Sequence, residues 1–473
     1  MNKCILFLFG ILLFSNKSVS QINQTENQFN IQETKKILTK EVNKILKETG
    51  IPSISFSLIK GESIVWSNAF GYTNVKKQIP ATTTTIYNTG SNFKFVTATA
   101  IMQLAENGKL NIDDPINIYL KDLTQNVFTK DGKSITFRHL LSHHSGLKDV
   151  SLESIHVWKR KSPKALKTLL SRLESKHSPG EKFEYNNSCY GLLGFLIERI
   201  SGVSYQEYIV KNILKPLKVQ SESPVTPTPK MVEELALPYK LENNNSIPEY
   251  QFKLDFYPAG DIYLTPNEMA HFYIAQLNRG FYKNVSILNP TSIAEIQKKQ
   301  FGSSYGLGIG VINDKSGKYL QHAGGTPGFS TFFVAEKNSK RGIYIAANAS
   351  NSHKTLGIIA NLALKLLNGD KNIKPLPTLA KKVYKEIELT EELLKKYSGK
   401  YQIAPSFFIE ITKKGKQLFG QATGQGKFEM FAYEQNKFFL KVVDAKVYFH
   451  IRDGKVKGLT FFQNGKTNGI KIK

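Results

Sequence analysis

The sequence predicts an α/β chain of the α+β kind with a separate antiparallel β-module at its C-terminal end. Three observations predict this. Residues 30–368 mix strand-like alternation, near 54–72 and 319–347, with helical spacing between them. A charged, proline-containing stretch, 369–388, then breaks the pattern and reads as a linker. Beyond it, residues 389–473 alternate apolar and polar positions in short runs separated by glycine turns. The 473-residue chain is long enough for two or three domains, and 41% hydrophobic with 22% charged residues suits a globular protein with a full core.

The chain begins with a charged Met1-Asn2-Lys3, an apolar run from Ile5 to Phe14, and small residues Ser18-Val19-Ser20 before Gln21. That order reads as an export signal over residues 1–20, and the run is too short for an ordinary membrane span. The expectation is an exported protein, periplasmic or secreted, with no stable span once the signal is removed. Of the two cysteines, Cys4 would leave with the signal. Cys189 then stands alone, without an internal disulfide, as a small buried residue.

The first helix is expected from Glu33 to Glu48, with Ile37, Leu38, Val42, Ile45 and Leu46 on one face and Ile51-Pro52 at its end. Ile54 to Trp66 alternates around Lys60-Gly61, a hairpin signal that continues to Tyr72. A threonine-rich approach from Ala81 leads to Tyr87-Asn88-Thr89-Gly90-Ser91, a turn that opens a second helix. Ala98, Ile101, Met102 and Ala105 predict one buried face on it, and Asn107-Gly108 a stop. Residues 109–215 read as mainly helical, including Thr136 to Leu147 and an apolar helix from Ser188 to Ile200. Pro179 to Asn187 is a turn and extended segment. The proline- and asparagine-rich stretch 218–258 suits a loop over a cleft. Asn267 to Asn278 is a further helix, and Tyr319 to Val334 and Gly342 to Ala347 read as strands, the first carrying the glycine-rich His322-Ala323-Gly324-Gly325. The C-terminal alternation, through Phe407–Ile411, Lys437–Val442, Val447–Ile451 and Leu459–Phe462, is that of an antiparallel barrel or sandwich.

Lys+Arg exceed Asp+Glu by 64 to 38, a formal +26. The excess is dispersed, which fits a solvated surface or attraction to anionic envelope polymers and acidic substrates. No zinc-finger spacing or concentrated basic helix supports a nucleic-acid partner. His139 and His143 stand four apart, a spacing that invites a metal, but no acidic pair accompanies them and Leu140-Leu141 point to a packed helix. Gly420 to Lys427 fails the phosphate-loop spacing.

Chemistry enters with Ser91 and Lys94, three residues apart at a helix start and so on one face. A serine hydroxyl needs a base to become a nucleophile, and a lysine in a dry cleft can lose enough basicity to serve. Two more pieces follow in order, Tyr185-x-Asn187 and His322-x-Gly324, with flanking phrases Phe137-Arg138-His139-Leu140-Leu141-Ser142-His143, Pro179-Gly180-Glu181-Lys182-Phe183 and Tyr305-Gly306-Leu307-Gly308. Over roughly residues 30–365 the set resembles the penicillin-recognising serine hydrolases, within them the class C β-lactamase-related and D-alanyl-D-alanine carboxypeptidase-like branch. The C-terminal module resembles the lipocalin-like domains appended to some members.

The resemblance implies a β-lactamase/transpeptidase-like fold, an antiparallel sheet flanked by a helical region, over 30–368, and a lipocalin-like barrel over 389–473. It implies an acyl-enzyme on Ser91, with Lys94 and Tyr185 activating the serine and moving its proton. A neighbouring ammonium would lower the tyrosine pKa toward a phenolate-like base. Asn187 would bind a substrate amide. Backbone N–H groups of Ser91 and Gly325 would form an oxyanion hole, with His322 and Gly324 on the same substrate-binding strand. No metal or organic cofactor is implied. His322 departs from the lysine of most class C β-lactamases and turns the expectation toward a D-amino-acid peptide or small ester, cell-wall-derived peptides included. The alternatives are a class C-like β-lactamase and a non-catalytic penicillin-binding or envelope ligand-binding protein. The sequence fixes no oligomeric state.

Overall fold

The computed structural model describes residues 29–120, 128–150, 155–156, 172–221, 223–249, 253–254, 257–379, 384–405, 407–423, 426–441, 445–462 and 466–472. The signal expected over 1–20 and parts of the 218–258 loop lie outside the described residues. The chain divides into two compact units, Met1–Ala380 and Lys381–Lys473.

In the first unit, helix α1 (Ile31–Thr49) starts where the Asn30 side chain accepts from the backbone N–H groups of Gln32 and Glu33, and it stops at Gly50 in the left-handed region. Its buried stripe, Leu38, Val42 and Ile45, follows the helical period. Strands β1 (Ser53–Lys60), β2 (Ser63–Asn74) and β3 (Ile79–Pro80) begin the sheet. Helices α2 (Lys94–Glu106), α3 (Phe137–Leu141), α4 (Asn187–Ser201) and α5 (Pro266–Leu277) make up much of the helical region. The chain then returns to the sheet as β4 (Gly310–Asp314), β5 (Gly317–Thr326), β6 (Phe329–Glu336) and β7 (Arg341–Ala347), before helix α6 (His353–Leu367). The seven-stranded sheet has the order β4-β5-β6-β7-β1-β2-β3, antiparallel throughout.

Strand β1 is central and buried on both faces, and its sequence explains how. Ile54, Phe56 and Leu58 join α1 and α6 in one core. Ser53, Ser55 and Ser57 alternate with them. Ser53 and Ser55 lie 3.0 and 2.8 Å from the Tyr87 hydroxyl, and Ser57 donates to Asn267 Oδ1 at 2.7 Å. The second core, built on α2, α4 and α5, takes the other register of the sheet, Phe333, Ala335, Tyr344 and Ala346.

Three expectations change. Helix α2 is buried on every side from Lys94 through Leu104, not along one face, because helices and sheet surround it. The strand expected from Tyr319 to Val334 is two strands, turning at Pro327-Gly328, where Gly328 takes φ 80°. The region 109–215, expected to be mainly helical, also contains the short hairpin Thr129–Lys130 with Lys133–Ser134, and α3 is only five residues long.

The second unit is a closed eight-stranded antiparallel barrel, β8 (Gly399–Ala404) to β15 (Lys466–Lys471), entered through helix α7 (Glu391–Tyr397). Pairing of Tyr401 with Lys471 closes it. Its lumen is filled: Tyr397, Tyr401, Met430, Phe438 and Phe449 are almost fully buried, with Tyr397 and Phe449 stacked at 4.5 Å.

Candidate active site

Ser91 sits on a 3₁₀ turn, Gly90–Phe93, that runs directly into α2. The turn is held from several sides. Gly90 N–H donates to Asn88 Oδ1 at 2.9 Å, and Asn88 Nδ2 donates to Asp261 at 2.7 Å. The buried Asn92 amide lies 2.8 Å from Thr331 Oγ1 on β6 and 2.7 Å from the Tyr273 hydroxyl on α5. Strand β5 presses against the turn so closely that a Cβ on Gly90 would stand 2.6 Å from Gly325 N, and one on Gly324 would stand 2.5 Å from Thr89 O. Gly90 also takes φ 54°, so glycine is required there twice over.

Lys94 follows at the first position of α2 and is completely buried. Its Nζ lies 3.0 Å from Ser91 Oγ, 2.7 Å from Asn187 Oδ1 and 2.6 Å from the Ala259 carbonyl. The two shorter partners are carbonyl oxygens, which only accept. A neutral amine can give its two N–H groups to these oxygens and turn its lone pair toward the serine hydroxyl. Burial brings the Lys94 pKa down to about 7, with the Asp149 carboxylate opposing the shift. At neutral pH the amine is therefore available as a base.

Tyr185 reaches the same serine. Its hydroxyl is within reach of Ser91, its ring lies 5.0 Å from Lys94 Nζ, and the residue as a whole is 39% exposed. The sequence-based expectation of a lowered tyrosine pKa is reversed. Burial of the hydroxyl end raises it, the Ser91 hydrogen bond opposes only part of that, and Asp149 raises it further. The direction of the shift favours a neutral hydroxyl over a phenolate.

Asn187 opens α4, and its side chain is already engaged. Oδ1 accepts from Lys94, and Nδ2 donates to Asp149 at 3.3 Å. His322 is nearly buried on β5. Its Nδ1 donates to the Ala323 carbonyl at 2.7 Å, which leaves Nε2 to accept from the Tyr305 hydroxyl at 2.8 Å. Burial and the Lys94 charge lower its pKa to about 4. This strand therefore brings a neutral ring, not a cation, to the site. The sheet partner β4 covers β5 only as far as Gln321. The stretch His322–Thr326, with Gly324 and Gly325, runs on beyond it, and no atom stands within 4 Å of a Cβ on Gly325. An extended segment of substrate can lie along such an edge.

Sequence reasoning missed four groups. The Ala259 carbonyl carries no side-chain signal. Asp149 stands in no motif weighed above. Tyr305 lay within a flanking phrase without a role. His143, whose spacing from His139 is set aside as a metal signal in favour of a packed helix, has no site role in the sequence reading; it is buried, accepts from Asn186 N–H at 3.1 Å through Nδ1, and lies tilted against Tyr185 with ring centroids 4.2 Å apart. His139 and His144 are likewise held by their own neighbours, Thr136 and Ser142. Cys189 packs in the core 3.1 Å from Ser145 Oγ, its thiol pushed up to about 12 by burial, and so is no nucleophile.

Comparison with known proteins follows this geometry. A family model described as Beta-lactamase matches residues 38–367, and one described as a domain of unknown function, DUF3471, matches 384–470. Protein flp of Staphylococcus aureus (strain N315) is 27% identical over 326 residues, 68% of this chain and 64% of that protein. The chain thus matches just under two thirds of that relative's length. The putative penicillin-binding protein PbpX of Bacillus subtilis (strain 168) is 30% identical over 348 residues, 69% of this chain and 78% of that one. Among solved structures, the octameric penicillin-binding protein homologue from Pyrococcus abyssi superposes with a TM-score of 0.63 at 26% identity, covering 91% of this chain and 99% of that one.

Proposed function

This chain belongs to the β-lactamase family of serine hydrolases, and from that premise we propose that it is an exported hydrolase of the class C-related branch, acting through an acyl-enzyme on Ser91. The observation that carries the reading is the wiring of Lys94. Its two shortest bonds go to carbonyls, and its third partner is the serine hydroxyl. Ser91 Oγ attacks the substrate carbonyl carbon while its proton passes to Lys94 Nζ, and the carbonyl electron pair moves onto oxygen. The backbone N–H groups of Ser91 and Gly325 receive that oxyanion; losing one such donor costs roughly 10²–10³ in rate. The intermediate then collapses: the oxyanion electron pair re-forms the carbonyl, the bond to the leaving amine or alcohol breaks, and that group takes the Tyr185 hydroxyl proton as Lys94 hands the serine's proton on to Tyr185, which leaves an ester on Ser91. Water then attacks the ester on Ser91 by the reverse route, which releases the acid and restores the serine.

The neutral His322 supports substrates without a carboxylate beside the scissile bond: small esters and D-amino-acid amides or peptides with that end blocked. β-Lactams carry a carboxylate at that place and fit less well. The test is a fluorophosphonate probe followed by peptide mapping, together with a panel of a nitrophenyl ester, D-alanyl peptides and a chromogenic cephalosporin, run on wild type and Ser91→Ala. Labelling of Ser91 and a preference for the neutral ester are expected. No labelling of the folded chain would sink the reading. Export is tested by whether the protein recovered from producing cells starts at or near Gln21.

A further inference from the structure

Asp149 takes no part in the reaction written above, yet it is connected to the lysine. Its Oδ2 accepts from the backbone N–H of Asn187 at 3.1 Å and from the Asn187 side-chain amide at 3.3 Å. Its Oδ1 accepts from the backbone N–H of Ser188 at 3.2 Å and from the Ser188 hydroxyl at 2.7 Å. These are the first two residues of α4, a fifteen-residue helix, so the carboxylate stands at the positive end of its dipole. The Asn187 amide is thereby gripped at both ends, its nitrogen by Asp149 and its oxygen by Lys94 Nζ at 2.7 Å.

The surroundings of Lys94 make this connection matter. From α4 it meets the neutral Asn187 oxygen and, at 5.3 Å, the Tyr190 ring; from the segment before α4 it meets the Tyr185 ring. The Ala259 carbonyl and the Ser91 hydroxyl are neutral. His143 and His322 feel its charge, and both are held in the neutral form by burial. The Asp149 carboxylate acts on Lys94 as an opposing charge, while the buried Asp261, two residues beyond Ala259, accepts from Asn88 Nδ2 at 2.7 Å. When Ser91 gives up its proton, an ammonium forms on a side chain with no exposed surface, and a buried cation without a counter-charge is costly.

We propose that Asp149 is a positioning residue for the Ser91 reaction: its carboxylate orients the Asn187 amide against Lys94 and supplies the negative charge that balances the lysine once it holds the serine's proton. This rests on the reading of Ser91 as nucleophile and Lys94 as its base. Asp149 makes no contact with Ser91; it reaches Lys94 through Asn187 and through its charge.

The test is the pH dependence of Ser91 acylation by a fluorophosphonate in wild type, Asp149→Asn, Asp149→Glu and Ser188→Ala. In Asp149→Asn the midpoint of the rise toward alkaline pH moves down by about half a pH unit or more, and the plateau rate falls several-fold because a weaker base remains. Asp149→Glu restores the midpoint. Ser188→Ala, which loosens the helix start but keeps the charge, lowers the melting temperature and leaves the midpoint in place. A wild-type midpoint and plateau in Asp149→Asn would make the carboxylate a helix cap only and overturn the proposal. An equal shift in Ser188→Ala would overturn it as well. Should Asp149→Asn not fold, Asp149→Ser, which keeps an acceptor without the charge, is judged by the same criterion. Failure of the wild type to label at Ser91 would strike the hydrolase reading instead, so the two failures are distinguishable.

Discussion

At the scale of single residues, Lys94 costs stability in the protonation state that most lysines prefer. Its pKa falls from 10.5 to about 7 on folding. Between these values the unfolded chain holds a proton that the folded chain has released, so folding becomes more favourable as pH rises through that window. Below about pH 7 both states are protonated and the full cost of burying the ammonium remains. The stability of wild type relative to Lys94→Met is therefore expected to rise from pH 7 to pH 10, with a slope of up to about 1.4 kcal/mol per pH unit. Denaturant unfolding of both proteins across that range measures it, and parallel curves would refute the shift. The same variant should lose roughly 10²–10⁴ of the acylation rate as its general base disappears. Residue types and spacings made Ser91, Lys94, Tyr185 and His322 readable as a set, because chemistry demands particular side chains there. Their ionisation was not readable. Whether Tyr185 is pushed toward phenolate or away from it depends on what buries its hydroxyl, and that is decided by chain far away in sequence. Asp149 escaped for the same reason: its charge reaches Lys94 only after the loop after α3 meets the start of α4.

At the scale of elements, the site depends on how closely a turn and a strand approach. The backbone of Gly90 meets that of Gly324-Gly325 on β5 directly, and beside them the Thr331 hydroxyl donates to the Thr89 carbonyl at 2.7 Å. Gly90→Ala would place a methyl 2.6 Å from Gly325 N and force an L-residue to φ 54°. The expected result is a loss of about 1–3 kcal/mol in stability. Because the two N–H groups assigned to the oxyanion would move apart, acylation should fall by roughly 10²-fold or more. Thermal melts and fluorophosphonate labelling read these separately, and a labelling rate unchanged from wild type would remove Gly325 from the oxyanion site. The sequence marked this stretch as glycine-rich, but nothing local names the chain segment a glycine makes room for. The misreading of α2 has a similar origin. Its polar residues, Thr97, Thr99 and Gln103, look like a solvent face but are buried with partners: Thr97 on the Tyr205 hydroxyl and the Pro258 carbonyl, Gln103 on the carbonyls of Asn212 and Ile287.

At the scale of the whole molecule, every residue placed at the site, from Ser91 to His322, lies in the unit Met1–Ala380. The second unit has its own helix, its own closed sheet and its own buried cluster around Tyr397, Tyr401 and Phe449. A fragment of residues 384–473 is expected to fold alone and melt cooperatively by circular dichroism, whereas a chain ending at Leu379 should still be labelled at Ser91. A fragment without a melting transition would show that its core is incomplete. The alternation after residue 389 announced strands. Barrel or sandwich could not be chosen from it, because closure depends on the pairing of Tyr401 with Lys471, the first strand with the last.

That closure has a consequence for what the second unit can exchange with its surroundings. A sheet that ends leaves a row of unpaired amides and carbonyls, and any extended chain nearby, including an identical one, can add itself there. A ring has no such row, and among the described residues its interior is occupied by buried side chains such as Tyr401, Phe438 and Phe449. Closure therefore removes the open strand edge as a template for β-aggregation by this unit. Its outer wall and loops are where substitutions can vary while the backbone pairing of the ring stays intact.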